Sequence, residues 1–247
     1  GARLTFLIMA LTCFGSFLLI SGVKESSHVP RETVEKIWIE IKDGLKTVRE
    51  MPWVGALILM ATAQLFVVIA SENVLLPIIT KREFHTNTVM AMASASFAIG
   101  GTVASILSLK IKTKFPGRFT LYTWSLFALV PFALAYQRSE LLIVIAYIFA
   151  GISVGPWDAF WPSALQREVP KEKLGRVFAL DQAGSAGLMP LGMALTGPTV
   201  ALFGEKQFLI FAGIFHLFVN LIVYRVPGVK EMKTPNKVSN SSNSEQI

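Results

Sequence analysis

The chain has 247 residues, of which 53% are hydrophobic and only 16% are charged, and its mean hydropathy is +0.55. Soluble domains carry about 25% charged residues, and the charges here lie in short stretches between long apolar runs, so the composition excludes an ordinary soluble domain. The net charge of +7 would suggest a nucleic-acid partner for a soluble protein, but Lys and Arg also collect in the cytoplasmic loops of membrane proteins. The sequence therefore predicts the lipid bilayer as a partner, and no nucleic acid.

Several apolar runs are each long enough for a membrane crossing, which takes about 20 residues of helix. The seven runs cover residues 2–22, 53–79, 87–109, 119–137, 141–163, 175–203 and 207–225. Helices satisfy their own backbone hydrogen bonds in lipid, and none of the runs has the alternating polarity of a membrane β-barrel. The predicted fold class is an all-α membrane protein with about seven transmembrane helices.

The basic residues predict the orientation of these helices. Of the 23 Lys and Arg residues, 18 lie on one side, in the loops 24–51, 110–118 and 164–176 and in the tail after Tyr224. Because cytoplasmic loops carry an excess of Lys and Arg, that side is predicted to be cytoplasmic, together with the C-terminus.

Three segments lie outside the main group of helices. Residues 24–51 form a predicted cytoplasmic linker, whose apolar side chains recur at helical spacing and indicate an amphipathic helix on the membrane surface or on the helix bundle. Both a connecting and a regulatory role are open for it. The tail, residues 227–247, is polar and rich in Ser and Asn, so disorder is predicted. An apolar run that starts directly after Gly1 suggests a fragment of a longer protein.

Acidic side chains inside the spans are candidates for function, because an ionisable group in the bilayer is costly. The three acids within the runs are Glu72, Asp158 and Asp181. Each is a candidate for contact with a substrate or for a proton pathway. The alternatives are structural: Glu72 could be a solvated residue at the rim, and the two aspartates could form ion pairs with Arg167 or Arg176.

Polar and aromatic side chains inside the runs form a second set of candidates for the same pathway. They are Gln64, Trp157, Trp161, Gln182, His216 and Asn220. The polar members could contact substrate or form the interhelical hydrogen bonds that are common in membrane bundles. The tryptophans could form an aromatic wall around an apolar or cationic substrate, or lie at the membrane interface as tryptophans often do.

Small residues and prolines predict close helix packing. Gly151 and Gly155 are one helical turn apart, and Gly187 follows Ala183 by one turn, so each pair could let two helices approach closely. Pro190 interrupts a span and removes a backbone hydrogen bond. Kinked and closely packed helices are typical of transporters that rock between two states.

The sequence predicts no catalytic residue, no metal site and no cofactor. It has a single cysteine, Cys13, and its three histidines are far apart, so a metal-binding cluster is not expected. It contains no Ser/His/Asp arrangement and no paired histidines at helical spacing.

One stretch resembles a known family. Residues 151–198 read GISVGPWDAFWPSALQREVPKEKLGRVFALDQAGSAGLMPLGMALTGP. The elements that carry the resemblance are Leu165-Gln166, Val169-Pro170, Gly175-Arg176-Val177, Pro190-Leu191-Gly192 and Gly197. The stretch resembles the region around the tenth and eleventh helices of drug and siderophore exporters of the major facilitator superfamily, in particular the enterobactin-exporter and macrolide-efflux group.

The resemblance implies two six-helix bundles around a central cavity. Residues 1–23 would then be the last helix of the first bundle, residues 24–51 the central linker, and residues 52–226 the second bundle, with the rest of the first bundle missing. It also implies a secondary active transporter in the bacterial inner membrane that exports a small amphipathic compound, such as a drug or a siderophore, in exchange for protons. One departure from the family pattern is the loop 101–118, which is basic and contains no acid.

Two other functions are open. A truncated or non-transporting membrane scaffold would have the same hydropathy, and a chain that begins inside a bundle is compatible with it. A membrane enzyme is disfavoured by the lack of catalytic motifs.

Overall fold

The computed structural model describes residues 2–22, 34–137 and 139–235, and these residues form helices without any strand. The helices are α1 (Ala2–Ser21), α2 (Val34–Glu50), α3 (Pro52–Phe84), α4 (Thr88–Ser108), α5 (Pro116–Tyr136), α6 (Glu140–Glu168), α7 (Lys171–Phe203) and α8 (Glu205–Tyr224). The predicted all-α membrane fold is confirmed, because the six helices α3 to α8 are each long and apolar enough to cross a bilayer.

The chain divides into two compact units, residues 1–39 and 40–247. The first unit contains α1, which carries a shorter apolar segment, Phe6–Ser21. Its large apolar side chains, Phe6 and Phe17 among them, are exposed. A helix that is apolar on all sides is stable in lipid or against partner helices rather than in water. The second unit contains α3 to α8.

Two of the long helices contain irregular turns. Helix α3 is a π-helix at Leu65–Ile69, and α5 is a 3₁₀-helix at Ser125–Ala128. A π-turn holds one more residue than an α-turn and changes which residues share a face. Gln64 and Ser71 are seven residues apart and would share a face in a regular α-helix. Here Gln64 bonds to other helices, while the Ser71 hydroxyl donates to the Val68 carbonyl of its own helix.

Helices α4 and α6 pack most closely through glycines. A Cβ on Gly151 would overlap the carbonyl oxygen of Phe97, and one on Gly155 would overlap the backbone at Ala104. Gly100 on α4 is equally close to α6. The structure thus places both glycines that were predicted to allow close approach at a contact where no side chain fits.

The predicted contact at Gly187 is wrong for the described residues. Gly187 and Pro190 are exposed, and the only atom near a Cβ on Gly187 would be a carbonyl of α7 itself. Helix α7 instead contacts α3 through a single stripe of its residues. The buried residues of α7 lie along this stripe at helical spacing, namely Val177, Asp181, Ser185, Gly192 and Thr196, and a Cβ on Gly184 would lie 2.6 Å from the Thr62 hydroxyl oxygen of α3. Small residues recur around much of α7, so their spacing alone did not indicate which face packs.

The first part of the tail is folded, which corrects the predicted disorder of residues 227–247. Residues 227–235 form turns, and the side chains of Val229 and Met232 are fully buried in the bundle core. Burial of these two apolar side chains stabilises the segment, although the composition of the tail is polar overall. Residues 236–247 lie outside the described part of the chain.

The predicted linker contains helix α2, which from Glu40 onward belongs to the second unit. Arg176 of α7 donates hydrogen bonds to Asp43 and Glu40, and Lys173 lies 3.6 Å from Asp43. The hydrogen bond from the Arg176 guanidinium holds the pKa of the Asp43 carboxyl below its usual value. The linker is therefore attached to the first turns of α7 by charge pairs.

The glycine contacts predict different costs for two leucine substitutions. Gly151→Leu should lower the melting temperature of the purified protein in detergent, because the new side chain must push α4 and α6 apart, and overpacking costs about 1–3 kcal/mol. Gly197→Leu is the matched control, because Gly197 lies on an exposed face of α7 with no neighbouring atom within 4 Å of an added Cβ, and it should leave the melting temperature nearly unchanged. Equal melting temperatures for the two variants would contradict the close packing of α4 on α6.

Candidate functional site

Side chains from four helices line a cavity of about 200 Å³. We call it the tryptophan cavity. Its lining residues are Ala61 and Leu65 of α3, Trp124 of α5, Trp157, Asp158, Trp161 and Pro162 of α6, and Phe178, Asp181, Gln182 and Ser185 of α7. Five of the predicted site residues thus lie together, although they are up to 25 positions apart in sequence.

Three indole rings form the aromatic wall of this cavity. The Trp157 ring lies 5.5 Å from that of Trp161 and 5.5 Å from that of Trp124, measured between centroids. Trp161 is 3% exposed and also contacts the Trp53 ring edge-on. Trp157 and Trp161 share one face of α6 because they are four residues apart. Packed rings of this kind present flat apolar surfaces to whatever occupies the cavity.

Two carboxylates, those of Asp158 and Asp181, line the same cavity as the indoles. Asp181 is buried, and its Oδ2 accepts a hydrogen bond of 3.0 Å from Trp161 Nε1, whereas Asp158 is exposed. Neither forms an ion pair among the described residues, so the predicted pairs with Arg167 and Arg176 are wrong. Those arginines are engaged elsewhere, Arg167 with Glu168 and Arg176 with the linker.

A buried hydrogen-bond network lies beside the tryptophan cavity and joins α3, α5 and α8. Gln64 Nε2 donates to Asn220 Oδ1 (2.9 Å) and to the His216 carbonyl (3.1 Å), and Trp124 Nε1 donates to Gln64 Oε1 (2.6 Å). Asn220 Nδ2 in turn donates to the Ser125 hydroxyl. Gln64, His216 and Asn220, three of the predicted candidates, therefore form one cluster.

The His216 ring has a defined tautomer in this network. Its Nε2 lies 2.8 Å from the Trp124 carbonyl, which can only accept, so Nε2 carries the hydrogen. The Nδ1 atom is then an acceptor, and it is buried without a partner among the described residues. A sealed, unpaired nitrogen of this kind has a desolvation cost.

A second cavity, of about 360 Å³, lies further along α3, and we call it the glutamate cavity. Its lining residues are Ile69, Glu72, Asn73, Leu76 and Pro77 of α3, Met90, Ser94 and Phe97 of α4, Phe127 of α5, and Tyr147 and Val154 of α6. It shares no lining residue with the tryptophan cavity.

Glu72 is buried in the wall of the glutamate cavity, so the interpretation as a solvated rim residue is wrong. Its side chain is 7% exposed, and Oε1 accepts a hydrogen bond from the Tyr147 hydroxyl. Glu72 does not lie at the end of its helix, because α3 continues to Phe84. At 1.5 Å per residue, that end lies about 18 Å beyond Glu72.

Trp124 and Tyr147 were not among the predicted candidates, although each lies at a site. Trp124 lines the tryptophan cavity and bonds to Gln64, while Tyr147 bonds to Glu72. Both lie well inside their spans, whereas Trp and Tyr side chains at the membrane interface direct their N–H or O–H group toward water. A tyrosine or tryptophan far from the span ends was the signal that could have identified them.

The family model of the Major Facilitator Superfamily matches the chain at residues 1–193 and 64–244. The chain belongs to the major facilitator superfamily. No curated protein and no solved structure matches the chain. As a member of this superfamily it is a multi-pass membrane transporter, and the two cavities lie within the helices that make up its transport fold.

The Gln64 network predicts a stability effect in this major facilitator protein. Gln64→Leu should lower the melting temperature in detergent, because the Trp124 and Asn220 groups lose their partner and a buried unpaired polar group costs about 1–3 kcal/mol. Gln182→Leu changes an exposed glutamine in the same way and should have a much smaller effect. The same shift in both variants would show that the network does not stabilise the bundle.

Proposed function

We propose that this protein is a proton-coupled exporter of a small amphipathic compound of the drug or siderophore type, in the bacterial inner membrane with its C-terminus in the cytoplasm. The observation that carries the proposal is the tryptophan cavity, where three packed indoles lie next to two carboxylates without a cationic partner among the described residues. Stacked rings bind an apolar body. Carboxylates bind a cationic group or a proton.

The tryptophan cavity opens to the surface of the bundle, which supports a site completed by further helices. Asp158 and Gln182 line it and are exposed. Its volume of about 200 Å³ is below the range of about 300–1,000 Å³ that is usual for ligand pockets. A site of full size would form where another six-helix bundle covers this surface, and we propose such a bundle as the missing partner.

The exposed face of α7 supports the same partner. Large apolar side chains such as Leu188, Leu191 and Leu195 are exposed there, alongside Gly187 and Pro190. Small residues on an unpartnered helix face allow close approach of another helix. Gly187 and Pro190 are thus proposed as packing residues for the missing bundle rather than for α3.

Asp181 is the proposed proton carrier of the tryptophan cavity. It is buried, it has a neutral donor, Trp161, and it lies where a bound substrate would contact it. A group that alternates between charged and neutral states in a transport cycle must lack a permanent counter-charge, and Asp181 meets this condition among the described residues. Asp158 is more exposed and would contact the substrate's cationic group at the opening of the cavity.

The experiment measures transport and binding separately in the full-length protein. In proteoliposomes with an imposed proton gradient, Asp181→Asn should reduce gradient-driven export of a fluorescent amphipathic compound by about ten-fold or more, since the loss of a titrating group removes the coupling. Binding of the same compound, followed by quenching of tryptophan fluorescence, should survive. Trp161→Phe keeps an aromatic ring but removes the hydrogen bond to Asp181, so it should weaken coupling less than Asp181→Asn.

Other results of this experiment would reject parts of the proposal. Export by Asp181→Asn at the parent rate and with the parent gradient dependence would remove Asp181 from coupling. A parent protein that quenches with the compound and does not move it would favour a non-transporting scaffold.

The proposed orientation predicts a labelling pattern in intact cells. On a Cys13→Ser background, His85→Cys should react with a membrane-impermeant maleimide from outside, because the loop after α3 carries few basic residues and is predicted to be external. Thr113→Cys lies in the basic loop before α5 and should react only after permeabilisation. Both positions are exposed, so accessibility of the side chain is matched. Labelling of Thr113→Cys in intact cells would invert the topology.

A further inference from the structure

From the glutamate cavity we infer a second binding site, one for an amphipathic organic cation that carries a single positive charge. Glu72 supplies the counter-charge, Tyr147 holds its carboxylate, and aromatic side chains of α4 and α5 surround the cation. The inference concerns equilibrium binding and does not rest on the proposed transport cycle.

The first step is the charge balance of the glutamate cavity. Glu72 lies inside a membrane-spanning helix and is 7% exposed, and no Lys or Arg lines the cavity. The nearest arginine along α3, Arg82, is paired with Glu83 and Glu205. A carboxylate with no cation in a low-dielectric bundle is strongly destabilised. A ligand that brings one positive charge removes this penalty.

The second step concerns Glu72 Oε2, the carboxylate oxygen that Tyr147 does not bond, and its access to the cavity. Tyr147 donates to Oε1, whereas Glu72 Oε2 has no hydrogen-bond donor among the described residues. The side-chain atoms that are both sealed and unpaired in the described residues are Thr120 Oγ1 and His216 Nδ1. Glu72 Oε2 is therefore not sealed, and the cavity that its side chain lines gives access to it. Tyr147 is itself fixed in the wall, because it is 4% exposed.

The third step is the chemistry of the lining. The volume of about 360 Å³ falls within the usual range for small-molecule pockets, about 300–1,000 Å³. Phe97, Phe127 and Tyr147 offer ring faces that attract a cation, and Met90 offers a polarizable side chain. One carboxylate and few other oxygens cannot replace the shell of six or more oxygens that a hard metal cation needs. An organic ammonium with an aromatic or alkyl body fits this lining.

The fourth step is the position of Glu72 between two irregular points of α3. The π-helix ends at Ile69 and Pro77 interrupts the helix further on, and both residues line the cavity. Single π-turns in long helices are frequent at functional sites. Pro77 leaves the carbonyl of Asn73 without its helical hydrogen bond. The segment that carries Glu72 is thus bounded by turns that differ from a regular α-helix.

The test compares two molecules of the same shape that differ only in charge. Benzyltrimethylammonium is the cation, and neopentylbenzene is its neutral carbon isostere. The full-length protein carries Cys13→Ser and Ser94→Cys, which places one reactive thiol in the lining of the glutamate cavity, and protection of this thiol from a maleimide is measured in detergent without a gradient. The cation should protect at a concentration about ten-fold or more below that of the isostere, as expected for a charge contribution of about 1.4 kcal/mol.

Variants of Glu72 test the counter-charge. Glu72→Gln keeps the shape and should abolish the preference for the cation over the isostere, while Glu72→Asp keeps the charge and should retain it. Gln182→Cys, in place of Ser94→Cys, is the matched probe in the tryptophan cavity, and its labelling should not respond to Glu72→Gln. Equal protection by both molecules in the parent protein, or an unchanged preference in Glu72→Gln, would overturn the inference.

The test remains decisive even if the Glu72→Gln variant fails to fold. The comparison of cation with isostere in the parent protein already decides for or against a charge-selective site, and Glu72→Asp then assigns the charge. No protection by the cation, together with maleimide reactivity that changes only with pH, would mean that Glu72 binds a proton alone and would overturn the inference. Transport in proteoliposomes is measured independently, so either proposal can fail without the other.

Discussion

A polar group inside a bilayer has no water to replace a missing partner, and this constraint decides where the helices of the second unit meet. Gln64 uses both its donor and its acceptor, and the groups that it bonds come from α5 and α8. The relative positions of α3, α5 and α8 thus depend on the side-chain amide of Gln64. The carboxylates of Glu72 and Asp181, each with a single hydrogen-bond donor among the described residues, lie at the cavities.

Helix α3 connects the two cavities because both are built on it. Leu65, the first residue of its π-turn, lines the tryptophan cavity, and Ile69, the last, lines the glutamate cavity. A change of that turn to regular α-helix would rotate one half of α3 against the other, since a π-turn contains one more residue per turn. Glu72 would then move relative to Asp181, and the hydrogen bonds of Gln64 fix α3 directly before the π-turn, where such a rotation would start.

The sequence was sufficient to predict the all-α membrane fold, because apolar length is a direct consequence of bilayer thickness. It also identified Trp157, Asp158 and Asp181, which the fold brings to one cavity. It could not predict the burial of Glu72, since hydropathy places this residue inside a run without indicating which way its side chain faces. It could not predict which helix Gly187 faces either, since the spacing of small residues does not specify a neighbour. The π-turn has no signature in the hydropathy pattern either.

Charge pairs and hydrogen bonds hold the bundle at its two ends. At one end the linker is bound to Arg176, and the folded part of the tail accepts a hydrogen bond from Arg167 at Met232. At the other, Arg82 pairs with Glu205, which joins α3 to α8. Each exposed ion pair contributes little stability by itself. The two cavities lie between these two ends of the bundle and interrupt the packing of the helices there. A bundle that is held together at its ends and has cavities in its middle changes shape most easily around those cavities.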